Sequence, residues 1–294
     1  MTGKAILLAQ PGRLFMTDRS VANENRLMTG RDQSTDPKTL LLLGGTADAR
    51  RLAGILSAQG IKLIYSIAGL VRIPDVPCEV FSGGFSQVGG LPAFINDRNI
   101  NAILDVTHPY ASTMSETAVQ AAAACKIPYW RFQRLAWMPQ DGDDWTSFSD
   151  WNALLQALKG KKSVFLTAGQ PDRESLDTLA GYQQQGQRQL LRTAVYPHFE
   201  LPGTMKWVKA IGPFAVEEER KMLQEHGIDV LVSKNSGGDS TVAKITAARE
   251  MGIPVYMLER PVLTPVEYEF GEIAEAASFV VGQFMSGQVT KHCE

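Results

Sequence analysis

Four short segments carry residue types suited to holding anions or moving protons. In the first, Leu43-Gly44-Gly45-Thr46-Ala47-Asp48-Ala49-Arg50, an apolar run meets two glycines and a helix opens. Glycines let a phosphate approach the backbone, and a helix N-terminus offers N–H donors and a positive dipole end. Against the dinucleotide fingerprint, Gly44 and Ala49 take the first and third glycine positions and Thr46 replaces the second. Gly44, Gly45 and Thr46 are therefore expected to hold a nucleotide, the alternative being a tight turn without ligand. In the second segment, Ile64-Tyr65-Ser66-Ile67-Ala68-Gly69, the acid that an NAD site places after its second strand is missing, and Arg72 follows. Ser66, Gly69 and Arg72 suit a ribose 2′-phosphate, which predicts NADPH over NADH; otherwise Arg72 is a solvated loop residue.

The third segment is Asp105-Val106-Thr107-His108-Pro109-Tyr110-Ala111, at the exit of a buried strand, with Ser112 expected to cap the next helix. Ligands of open α/β sheets bind at that edge. His108 is read as a hydrogen-bond or proton donor and Thr107 as a cofactor contact, a structural histidine being equally compatible. The fourth is Ser233-Lys234-Asn235-Ser236-Gly237-Gly238-Asp239-Ser240, again a strand end meeting a helix start. Lys234, Asn235, Ser236 and Gly237 are expected to bind an anionic substrate, and Lys234 is a second candidate proton donor. The alternative is a capped loop with an incidental lysine. Arg50, one turn into the first helix, and Arg131, Arg134 and Arg260 near strand exits either clamp carboxylates or form structural ion pairs.

These segments need a scaffold that repeats strand, turn and helix. The 294 residues suffice for two α/β domains. Short apolar runs such as Leu40 to Leu43 and Ala102 to Val106 read as strands buried on both faces, alternating with helical spacings. This predicts an α/β fold with two Rossmann-like parallel-sheet domains and a cleft between them. Residues 1–37 read as a disordered N-terminal extension, 38–140 as the NADPH-binding domain, and 141–287 as a domain contributing to the substrate site. The stretch Leu135 to Asp150 reads as the connection. A net charge of −2 offers no global field for nucleic acid. The apolar runs are too short to span a bilayer. Cys78, Cys125 and Cys293 are widely spaced, with neither a zinc pattern nor a disulfide framework, so a reducing cytoplasm is expected.

In order, LLLGGTADAR, SIAG, SGGF, DVTHPYA, GDDW, FLTAG, GPF, IDVLVSKNSGG, AKITAAREMGIPV and ERP resemble the precorrin-6A reductase family over roughly Thr39 to Gln283. The resemblance implies two Rossmann-like domains that exchange a strand. It implies reduction by NADPH of one double bond in the precorrin-6A macrocycle, or its cobalt form, to precorrin-6B in cobalamin biosynthesis. The partner is then a tetrapyrrole, with neighbouring pathway methyltransferases, and any cobalt belongs to the substrate because no metal-ligand set is visible. Three positions depart from the family pattern. Leu70 and Ala210-Ile211 stand where arginines are usual, and a basic residue is missing near Phe81-Ser82. Two other readings fit less well. No tyrosine has a lysine four residues on, as a short-chain reductase requires, and a non-catalytic NADPH-binding regulator leaves the SKNSGG segment unexplained.

Overall fold

The computed structural model describes residues 37–69, 74–287 and 289. The expected extension up to residue 36, Leu70, Arg72 and Cys293 lie outside the described residues. The first half begins with β1 (Thr39–Leu43), α1 (Ala47–Ala58), β2 (Lys62–Ile67), β3 (Glu79–Ser82) and α2 (Leu91–Asp97). It continues with β4 (Ile100–Asp105), α3 (Ser112–Ala124) and β5 (Tyr129–Phe132). The second half opens with β6 (Trp145–Phe148), α4 (Trp151–Leu158), β7 (Ser163–Leu166), α5 (Arg173–Gln184) and β8 (Arg188–Thr193). There follow β9 (Lys206–Lys209), α6 (Val216–Glu225), β10 (Val230–Lys234), α7 (Asp239–Glu250) and β11 (Val255–Leu258), then β12 (Glu269–Phe270) and α8 (Ile273–Met285).

Period-two packing explains the central strands. Leu40 and Leu42 join Leu52, Ala53 and Leu56 of α1 on one face of the first sheet. Leu41 and Leu43 join Phe94 and Ile95 of α2 and Ala118 of α3 on the other. A strand covered by helices on both faces must be apolar throughout, and each buried leucine contributes roughly 1.5–3 kcal/mol.

The two sheets have the same plan. Read from one edge, the first runs β3-β2-β1-β4-β5-β12 and the second β9-β8-β7-β10-β11-β6. All pairings are parallel. In each, the first five places are filled in the doubly wound order and the sixth by a strand from elsewhere in the chain. After β5 the chain supplies β6 to the second sheet, and after β11 it supplies β12 to the first. The sixth strands are thus exchanged, as the resemblance implied. The segment read as a connection contains β6. Residues within the span 141–287 return to the first sheet, where Ala276, Ala277 and Val280 of α8 enter the core beside α1. Periodicity does not reveal this, because a two-residue strand has no period.

Candidate functional site

The exits of β1 and β4, the first crossing segment, the turn after β9 and the starts of α7 and α8 enclose a cleft of about 760 Å³. Its first wall is the turn after β1. Thr46 caps α1: its hydroxyl accepts from Ala49 N at 3.0 Å and donates to Val106 O at 2.9 Å. Gly44 N donates to Ser66 O, and Gly45 N to the Tyr65 hydroxyl at 3.0 Å. A Cβ on Gly44 would lie 2.2 Å from Cζ of Tyr65, so glycine here makes room for a buried aromatic ring. Burial raises the Tyr65 pKa and keeps the phenol neutral. Gly45 has φ +103° with open space on its Cβ side. The N–H groups of Ala47 and Asp48, in the first turn of α1, have no acceptor inside the helix. Arg50 and Arg51 line the same wall. Ser66 is buried on β2, and Gly69 is exposed just beyond it.

The THPYA turn stands on Asp105, which is 1% exposed. Asp105 accepts from Thr107 N at 2.9 Å, from the Ser115 hydroxyl at 2.6 Å and from the Tyr129 hydroxyl at 2.7 Å. Ser112 does not cap α3. Ala111 occupies the N-cap without a side-chain bond, and the hydroxyl that serves this turn comes from Ser115. His108 lines the cleft, and its Nδ1 accepts from Tyr110 N at 3.3 Å. Lost hydration among the cleft walls, then Arg134, Lys234, Arg260 and Lys244 nearby, push His108 down to about 4. At neutral pH the imidazole is uncharged.

Tyr110 crosses to the second half. Its ring packs on the second core, its hydroxyl accepts from Asn235 N at 2.8 Å, and Lys234 Nζ lies 4.7 Å over the ring. Burial lowers the Lys234 pKa. The Lys234 ammonium lies 3.2 Å from where a Cβ on Gly169 would be, at the turn after β7. Among the described residues the cleft wall includes Ser236 and Gly237 but not Lys234 or Asn235. The Asn235 amide is bonded both ways to the Trp137 backbone, at 2.8 and 3.0 Å. The Ser236 hydroxyl meets Thr241 at 3.1 Å. A Cβ on Gly237, where φ is +69°, would stand 1.9 Å from Leu135 O, and one on Gly238 would stand 3.0 Å from Arg134 Nη1. Both glycines admit the crossing segment.

Arg134 is the residue that joins the walls. Its Nη1 pairs with Asp48 at 2.7 Å and its Nε donates to Ser236 O at 2.7 Å. Arg131, 3% exposed, pairs instead with Glu269 at 3.1 Å. Leu135 and Ile211, 70% and 60% exposed, add apolar surface to the cleft. Sequence spacing gives no sign of Tyr65, Leu135 or Ile211, because each reaches the site through a neighbouring strand or a crossing.

The family model described as "Precorrin-6x reductase CbiJ/CobK" matches residues 39–281. The chain is 38% identical over 244 residues to the precorrin-6A reductase of Rhodococcus erythropolis, covering 82% of this chain and 96% of the relative. It is 36% identical over 225 residues to that of Rhodobacter capsulatus, covering 76% and 88%. A cobalt-precorrin-6A reductase of Priestia megaterium is 30% identical over 253 residues, covering 82% and 96%. The solved structure of "CobK precorrin-6A reductase" superposes with a TM-score of 0.74 at 33% identity, covering 87% of this chain and 99% of that one. The sheet plan, the cleft and these matches together establish that the chain belongs to the precorrin-6x reductase family.

Proposed function

We propose that this protein reduces one double bond of the precorrin-6A macrocycle, or of its cobalt form, using NADPH. The observation that carries the reading is the lining of the cleft. Arg50 and Arg51 stand beside exposed Leu135 and Ile211, with Arg134 held to Asp48 in the same lining. A large ring system with carboxylate arms needs both apolar surface and several cations. The named activities of the relatives support the same substrate class. The residues present fit a dinucleotide: the N–H groups of Ala47 and Asp48 have no acceptor within α1, Gly45 is open, and no acid follows Ser66 through Gly69.

When bound, NADPH supplies the hydride. The chain's own work is to bind, align and move a proton. Alignment of two reactants contributes roughly 7–11 kcal/mol in the best cases. The turn after β1 holds the cofactor, and Arg50 with the Ser236–Gly237 wall holds the substrate. His108, uncharged when the cleft is empty, is positioned to take up a proton once substrate carboxylates offset its cationic neighbours. It can then pass that proton to the ring. Lys234, the second donor candidate, lies against the Tyr110 ring outside the cleft wall, so the geometry favours His108.

Two measurements test the reading. Fluorescence titrations at equal ionic strength should give tighter binding for NADPH than NADH; equal or tighter NADH binding removes the 2′-phosphate assignment. Incubation with precorrin-6A and NADPH should bleach the nicotinamide absorbance in step with the tetrapyrrole change. Binding without turnover would favour the non-catalytic regulator.

A further inference from the structure

We propose that Arg260 is a positioning residue that ties both crossing segments and the Lys234–Gly238 loop into one rigid cleft wall. The inference rests on the reductase reading for its effect on turnover. Arg260 lies in the second crossing, just after β11. Its Nε donates to Asn235 O at 2.8 Å, its Nη1 to Arg134 O at 2.7 Å and its Nη2 to Leu135 O at 3.2 Å. Three prongs of one guanidinium thus hold the loop after β10 and the first crossing together. No carboxylate among the described residues pairs with it. Its hydrogen-bond acceptors among the described residues are main-chain carbonyls, so its role is to set the path of backbone.

Two of the three residues so fixed, Arg134 and Leu135, face the cleft. Arg134, held by its carbonyl, reaches Asp48 of the first half and Ser236 O of the second. Leu135, held the same way, presents its side chain to the cleft. Gly237 completes the fit: a Cβ there would also lie 2.5 Å from Arg260 Nη2. The exchanged strands make such a tie necessary. Each half is continued by a crossing that ends in the other sheet, and at Arg260 one crossing grips the other. A lysine supplies the charge but not the planar fork, and reaches one carbonyl at a time.

The test uses Arg260→Ala and Arg260→Lys in the full chain. Amide hydrogen exchange without ligand should quicken together in residues 134–137 and 234–238, while the central strands of both sheets stay protected. Unchanged exchange in either segment overturns the proposal. With NADPH and precorrin-6A, both variants should lose about ten- to a hundredfold in kcat/KM, the scale of losing charged hydrogen bonds. Millimolar guanidinium ion should restore part of the turnover to Arg260→Ala. Wild-type turnover in Arg260→Lys, or no rescue of a folded Arg260→Ala, overturns the positioning role. An inactive wild type defeats the reductase reading instead, and the exchange experiment still decides whether Arg260 ties the wall.

Discussion

At Gly44 a methyl group would stand 2.2 Å from a buried tyrosine ring that has nowhere to retreat. Gly44→Ala should therefore cost about 1–3 kcal/mol, as overpacked cores do. Adding Tyr65→Leu should recover part of the loss, since touching sites do not add. Chemical denaturation of the single and double variants checks this; fully additive losses would show that the ring can move. His108 makes a different prediction. Its folded pKa of about 4 lies below the ordinary 6.5, so the unfolded chain binds the proton first. This contribution is absent above pH 6.5, and stability falls as pH drops from 6.5 toward 4. An NMR titration of the His108 ring should give a midpoint near 4 in the free protein and a higher one with the polycarboxylate bound. A free midpoint near 6.5 would contradict the cationic setting. The loss of stability between those pH values should be smaller in His108→Gln.

Among elements, the loop between β10 and α7 shows how a motif's appearance and its use diverge. Its glycines look made for a phosphate, yet Gly237 and Gly238 make way for Leu135 and Arg134. Gly237→Ala combines a left-handed backbone, worth about 1–3 kcal/mol of strain, with overlap on a main-chain carbonyl. Calorimetry should show a lowered Tm, at roughly 2–4 °C per kcal/mol for a body of this size. Substrate affinity should fall as well, because Arg134 and Leu135 must shift. A variant with unchanged Tm would mean that the crossing segment yields at no cost. At the start of α1, Thr46 caps the helix, a role its place in the glycine fingerprint did not suggest, and the first turn opens on the cleft.

For the whole molecule, the exchange of sixth strands predicts an unequal response to truncation. Ending the chain at residue 268 removes β12 and α8, which follow the second half in sequence but close the first sheet. Ala276 and Val280 are 0% exposed, so their loss uncovers the flank of α1 and Trp130. This truncation should abolish NADPH binding and leave an aggregating product, measurable by titration and size-exclusion chromatography. A soluble protein with normal NADPH affinity would show that α8 is dispensable. Starting the chain at Lys38 should leave Tm and turnover unchanged, since β1 begins at Thr39. Loss of turnover in a folded truncation would assign residues 1–37 a role.

The sequence by itself determined what depends on neighbours along the chain. The four-leucine run at Leu40 to Leu43, ending in two glycines, suits a strand buried on both faces, and it is one. The GGT, THPYA and SKNSGG segments could be read as strand exits. The order of these segments was enough for the family. The tertiary structure decided everything that depends on which sheet a strand joins. The fork of Arg134 between Asp48 and Ser236, the bridge from Tyr110 to Asn235, and Arg260 on the carbonyls of Arg134 and Leu135 link residues 86 to 126 positions apart, and Arg260 reaches Asn235 across 25. No local pattern encodes such contacts, since they follow from two short strands changing sheets, and a strand of two residues carries too little periodicity to announce its partner.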